Sequence, residues 1–508
     1  MKASRPNILL IMADQLPAAC VGTYGHPTIK TPNIDRLAER GTRFESAYCN
    51  SPICAPSRAS LCAGRYPSEL GAYDNGSDFP ASTPTFMHHL GAAGYDVALS
   101  GKMHFIGPDQ RHGFQRRLTP EIYPSSFTWT PNWNDGAIHN PGTAVDQLRD
   151  AGLCDWNLQL DYDEEVRFRA LEALRDFARR PVKQADQPFF LCASFTHPHD
   201  PFVTTRDWWD LYDPDEIDLP AAPGASTMEQ MHPYDQWLQI HHMIDEYPPA
   251  EDEIRNARHA YYGMVSYFDH CVGQLIDELD RLGLADDTLV VVTSDHGEML
   301  GEHGMWFKRT YFDWSTRVPL IAAGPGVADG TCQETVSLID LFPTFCELAG
   351  RTPDTASGNS LCGLLSGMDE SSAWKDLAIC EYLSEGVCEP MRMIVSDRGR
   401  WKYVHVRGHD ELLFDLQEDP LEQRNLALAP EHQTRRQILR EQLLTNWDPD
   451  IVREHVIASQ QRRRTINLAH QANPDLSWDV QPDFDARQQY VRKQNAQEAN
   501  VTQRIPRA

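Results

Sequence analysis

The chain has 508 residues, enough for a large buried core and two to four domain-sized units. Its 46 basic and 73 acidic residues leave a formal charge of -27, which repels nucleic acid and anionic membranes, so neither is expected as a partner. No apolar run approaches a membrane span, and the first, Ile8 to Met12, is too short for a signal-peptide core, so the expected compartment is the cytoplasm.

In chain order, Asn7 to Met12 reads as a buried parallel strand that delivers Asp14 at its carboxyl end. "TPNIDRLAERG" follows as a helix, opened by Thr31 and Pro32 and stopped by Gly41. "TFMHHLGAAG" leading into "YDVALSGKMH" repeats the order helix, glycine, strand. A helix near 163–180, the strand "PFFLCASF", a long helix near 251–283 and the strand "TLVVVTSDHG" continue it. This alternation predicts an α/β fold, a doubly wound sheet with helices on both faces. Such sheets gather ligands at the carboxyl ends of their strands, and Asp14, Lys102, His197, Asp295 and His296 all follow strand-like runs.

From about 371 the strands shorten ("RWKYVHV", "ELLFDL") and two polar helices run to about 466. The expected division is therefore a catalytic α/β domain over 1–370, a smaller α+β domain over 371–470, and a tail over 471–508. Trp478, Phe484 and Tyr490 make that tail a candidate for docking on a neighbouring subunit, and hence for a homo-oligomer. The twelve cysteines form no CxxC pair, so zinc-finger and redox spacings are absent, and most are read as small buried hydrophobes.

The chemistry concentrates in a few motifs. "Cys54-Ala-Pro-Ser-Arg58" followed by "Ala63-Gly64-Arg65" resembles the sulfatase signature, in which the cysteine is oxidised to formylglycine by a maturation enzyme. "Gly94-Tyr95-Asp-Val-Ala-Leu-Ser-Gly101-Lys102-Met-His104" resembles that family's second signature, with Val97 where Ser or Thr is usual. Together with "SDHG", the two signatures mark a sulfatase-like member of the alkaline phosphatase superfamily, a sulfuric ester hydrolase. The resemblance explains the cysteine in chemical terms. A hydrated aldehyde offers one oxygen to attack sulfur, and loss of a proton from the other expels sulfate and restores the aldehyde.

The same resemblance implies that Asp14, Gln15, Asp295 and His296 join residue 54 as ligands of one divalent ion. Many sulfatases carry Asp-Asp and Asp-Asn at these places. An imidazole in place of an amide oxygen moves preference toward Mn2+, with Ca2+ open and Mg2+ behind both. By resemblance Arg58 serves the formylglycine and metal, Lys102 and Lys308 the anionic oxygens, His104 proton removal from residue 54, and His197 the leaving group. Cations stabilise charge building on sulfuryl oxygens, and histidine shuttles protons near neutral pH. His88, His89, His241 and His242 are read as solvated or structural, while His199 and His303 stay open between supporting the site and structure.

"Ser194-Phe-Thr-His-Pro-His-Asp-Pro201", "Ile122-Tyr-Pro" and "Trp129-Thr-Pro" look most like the choline sulfatase branch. A quaternary ammonium offers no hydrogen bond, so its pocket needs aromatic faces and carboxylates. Trp129, His139 and Glu385 match that branch's cation pocket. In that branch a tail carboxylate from a neighbouring subunit completes the pocket. Here the position falls on Gln497, with Glu498 one place away. The expected substrate is choline-O-sulfate or a related small sulfate ester. Other readings are an aryl sulfatase, a phosphonate monoester or phosphodiester hydrolase with the same nucleophile and metal, and a silent binder of small cations.

Overall fold

The computed structural model describes residues 5–136, 143–181, 187–225, 227–353, 355–368, 374–472 and 505–506. Eight strands form the main sheet: β1 (Asn7–Ala13), β2 (Thr42–Tyr48), β3 (Asp96–Gly101), β4 (Arg116–Arg117), β5 (Phe189–Ser194), β6 (Thr288–Ser294), β7 (Leu320–Ala323) and β8 (Gly330–Ser337). Their order is β8-β2-β7-β6-β1-β5-β3-β4. The central strands β6, β1, β5 and β3 are mutually parallel, whereas β7 runs antiparallel to both neighbours. The parallel strands put the residues after Ala13, Gly101, Ser194 and Ser294 on one edge.

Strand β1 shows why the sequence is continuously apolar there. Ile8, Leu10 and Met12 join one buried cluster, and Leu9, Ile11 and Ala13 join another on the opposite face. The first cluster includes residues of helices Cys54–Ala63, Phe86–Ala92 and Leu341–Leu348; the second includes residues of helices Pro32–Glu39, Leu158–Ala178 and Glu251–Leu282. The result is the doubly wound, three-layer arrangement expected. The 32-residue helix opens on Glu251, Asp252 and Glu253 and closes on Gly283 in the left-handed conformation, as the helix dipole and C-terminal geometry favour. The helix expected near 163–180 spans Leu158–Ala178, because the Asn157 side chain accepts the N–H of Leu160 at 2.9 Å and starts it earlier.

A second, antiparallel sheet consists of β9 (Leu377–Tyr382), β10 (Met391–Ser396), β11 (Trp401–Val406) and β12 (Leu412–Asp415). Ile379, Ile394, Tyr403 and Leu413 pack with Leu439 and Leu443 of helix Gln433–Leu444, while Cys380, Met391, Met393 and Val395 join the main core. Helix Pro449–Ala472 follows, and Ile505–Pro506 pairs with strand Gly152–Trp156. Among the described residues no helix is long and apolar enough to cross a membrane.

Candidate active site

Residue 54 begins the helix Cys54–Ala63, all ten residues of which are buried, and Gly64 closes it at φ 65°. Its N-terminus faces the carboxyl edge of the main sheet. Asp14, Cys54, Asp295 and His296 bring one ligand atom each within 4.8 Å of one another, all buried. Cys54 Sγ stands 3.2 Å from His296 Nε2 and 3.7 Å from Asp14 Oδ1. His296 Nδ1 contacts the Gly297 carbonyl at 3.0 Å, which turns Nε2 toward the cluster. Burial and the nearby Asp295 and Cys54 push the Asp14 pKa up, the response of carboxylates crowded in a dry site. Two carboxylates, an imidazole and residue 54 at such spacing fit a divalent cation.

Cations surround this cluster. Arg58 Nε donates to Asp295 Oδ2 at 2.8 Å, and its NH1 donates to the Lys102 carbonyl at 2.6 Å and Ser194 Oγ at 2.8 Å. Lys102 Nζ pairs with Asp14 and lies 4.4 Å from the centre of the Tyr123 ring. Burial alone would raise the Cys54 thiol, but Lys102, Lys308 and His296 bring it well below the ordinary thiol range. His104 is buried beside residue 54, which acts on its ring. Burial lowers its pKa, so the neutral, proton-accepting form prevails.

Gln15 and Lys308 form the adjoining wall. Lys308 Nζ donates to Gln15 Oε1, while Gln15 Nε2 donates to Glu298 and, at 3.2 Å, to Asp200 Oδ1. Those two carboxylates fix which way the amide faces. Gln15, His104 and Arg309 all adopt positive φ (69°, 53° and 84°), a costly conformation for residues with a side chain. Buried bonds hold each one: Gln15 N–H to Asp295 Oδ1, His104 N–H to Glu121 and Arg309 N–H to the Pro52 carbonyl.

The structure separates the two histidines of "His197-Pro-His199". His197 Nδ1 lies 2.6 Å from Asp163 Oδ2, and Asp163 also accepts the N–H groups of Thr196 and His197. The Tyr267 ring packs 4.5 Å from the His197 imidazole, in the loop after β5. His199, left open by the sequence, faces the centre instead. Its Nε2 is 2.7 Å from Lys308 Nζ, its Nδ1 is 2.7 Å from the Asp200 carbonyl, and Cys54 also acts on it. His303 stacks on Phe312 at 3.7 Å.

Trp129 is half-buried, edge-on to His104 at 5.5 Å and 5.7 Å from Tyr123, whose motif the sequence marked without giving the residue a role. Trp133, four residues on, donates from Nε1 to the carbonyl of Ser384, the residue before Glu385. Glu385 does not stand alone there: Arg309 donates to it at 2.9 Å and Ser384 Oγ also bonds it. His139 and Glu498 lie outside the described residues, as do Gln497, Trp478, Phe484 and Tyr490.

Residues 6–351 match the family model described as Sulfatase, residues 301–448 that of the N-sulphoglucosamine sulphohydrolase C-terminus, and residues 454–501 that of the choline sulfatase enzyme C-terminus. The chain is 39% identical to the choline-sulfatase of Rhizobium meliloti (strain 1021), over 100% of both chains. It is 29% identical to an arylsulfatase of Clostridium perfringens, covering 87% of this chain and 94% of that protein. Among solved structures, the phosphonate monoester hydrolase of Agrobacterium radiobacter aligns with a TM-score of 0.69 at 26% identity, covering 87% of this chain and 95% of that one.

Proposed function

Because this chain belongs to the sulfatase family and is a sulfuric ester hydrolase, we propose that its substrate is choline-O-sulfate, cleaved to choline and sulfate. The observation that carries this reading is a cluster of buried cations with aromatic rings beside it. Lys102, Lys308 and Arg58 act on residue 54, and the Tyr123 and Trp129 rings adjoin Lys102 and His104. The cations suit sulfuryl oxygens, and the aromatic faces, with Glu385 as the carboxylate that the resemblance supplies, suit a quaternary ammonium.

Asp14, Gln15, Asp295, His296 and residue 54 would hold a divalent ion, Mn2+ or Ca2+ before Mg2+, which with formylglycine at 54 would supply an activated oxygen nucleophile. Around that centre the chain's own residues divide the work. Arg58 neutralises Asp14 and Asp295 and fixes the Lys102 backbone. Lys102 and Lys308 face the sulfuryl oxygens and stabilise the charge that grows on them. His104, buried beside residue 54 and in contact with it, takes a proton from it. His199, rather than His197, gives one to the departing alcohol oxygen, because the Asp200 carbonyl on Nδ1 leaves Nε2 facing the site.

Arg309 offsets part of the Glu385 charge, so the pocket gains from a further carboxylate, a role we assign to Glu498 of the tail in a homo-oligomer. A phosphonate monoester is the second reading, favoured by the Asp14-Gln15 and Asp295-His296 ligand types. The test is sulfate release from choline-O-sulfate against product release from an aryl sulfate and an aryl phosphonate monoester, on protein whose residue 54 is an aldehyde by mass spectrometry. The expected kcat/KM is highest for choline-O-sulfate, and a higher value for either aryl ester would overturn the assignment. Elemental analysis of the same protein reads the metal.

A further inference from the structure

The turn at residues 74–77 joins three remote parts of the chain. Asn75 Oδ1 accepts the N–H of Ala55 at 3.0 Å, one residue beyond the nucleophile position. Gly76 runs under the Trp129–Thr130 peptide so closely that a Cβ there would stand 2.5 Å from the Thr130 nitrogen, so only glycine fits. Asp74, fully buried, takes both ends of the Arg463 guanidinium, at 2.7 and 2.8 Å. The same guanidinium donates to Thr130 Oγ1 at 2.9 Å.

Arg463 belongs to the helix Pro449–Ala472. Three residues earlier on that helix, Gln460 Oε1 accepts the N–H of Trp133 at 3.0 Å. Residues three apart share a helix face, so one face of the C-terminal helix grips the stretch that bears Trp129 at both Thr130 and Trp133. The charge of Arg463 is nearly sealed from water, and its fork is satisfied by a carboxylate 389 residues away. A bidentate bond of this kind is exacting in direction, and lysine cannot reproduce it.

We propose that Arg463 is a positioning residue for substrate specificity: through Asp74 and Thr130 it fixes Trp129 relative to residue 54, so the C-terminal helix sets how tightly the cationic end of the substrate is held. This rests on the reading that Trp129 faces a quaternary ammonium. The attraction between a cation and an aromatic face depends on placement, and losing it weakens binding about 3- to 30-fold.

The test uses the full chain with residue 54 converted, as Arg463→Lys, Arg463→Gln and the paired Asp74→Asn/Arg463→Gln. The paired variant removes both charges, so no carboxylate is left buried alone if the single variants fail to fold. Two readouts are taken: kcat and KM for choline-O-sulfate and for an aryl sulfate, and amide hydrogen exchange over residues 126–135. The expected result is a KM for choline-O-sulfate raised about 3- to 30-fold with kcat within about 2-fold, a smaller loss on the cation-free aryl ester, and faster exchange over 126–135. A folded variant with unchanged KM and unchanged exchange overturns the proposal. If the wild type shows no preference for choline-O-sulfate, the substrate reading fails and exchange decides the positioning role: faster exchange keeps it, unchanged exchange ends it.

Discussion

Replacing His199 by glutamine is expected to slow choline-O-sulfate hydrolysis far more than hydrolysis of a nitrophenyl sulfate. In the structure Nδ1 of His199 is fixed on the Asp200 carbonyl and Nε2 lies 2.7 Å from Lys308, so the ring is oriented before substrate arrives. Glutamine keeps a hydrogen-bonding amide of similar reach but delivers no proton near neutral pH. A positioned general acid is worth about 10^2- to 10^4-fold, or ~3–5 kcal/mol of barrier. Choline leaves as an alkoxide unless protonated, so it should bear that full loss, whereas a nitrophenolate departs unaided and should lose no more than about 10-fold.

The pH dependence carries a sign. Burial pulls the His199 pKa down, yet the Asp200 carboxylate, helped by Asp14, outweighs burial and Lys308, and the result lies above the ordinary histidine value. The acid form therefore persists past that value, and kcat/KM for the choline ester should fall as pH rises through the raised pKa. The His199→Gln variant should lack that limb. Steady-state kinetics on both esters, with His197→Gln as comparison, decides the point. Equal losses on the two esters, or a larger choline-selective loss in His197→Gln, would refute the reasoning.

Cys54→Ala should abolish turnover while circular dichroism and the thermal midpoint stay close to wild type, since alanine suits the first turn of that helix; more than a trace of activity would sink the nucleophile assignment. Asp235 is pushed up to about 7 by burial, with Tyr311 donating to it at 2.7 Å. A carboxyl whose folded pKa is raised contributes stability below its unfolded value near ~4, and this is lost as pH climbs toward 7. The Asp235→Asn variant escapes that loss, so its thermal midpoint should gain on wild type between pH 5 and pH 8; a constant difference across that range would count against it.

Much of the fold and part of the site were legible because each rests on local chemistry. Strand β1 is apolar from Ile8 to Ala13 because both sheet faces are covered there, and a charged residue can follow only where the chain leaves the sheet. Asp14, Lys102 and Asp295 could be placed at strand ends for that reason, and Cys54 and Arg58 by their motif. The motif put His197 at the leaving group and left His199 open. Local pattern could not show that Asp163, on a helix 34 residues upstream, bonds the first while the second lies against Lys308. Nor could it show that Glu385 is held by Arg309, or that Asp74 meets Arg463 across 389 residues. Sequence alone determined the elements and the chemical types available, because periodicity and motif act over a few residues. The tertiary structure decided which of those groups share a charge, because pairing a buried carboxylate depends on which chain segments meet in the dry interior, and that is a property of the whole packing.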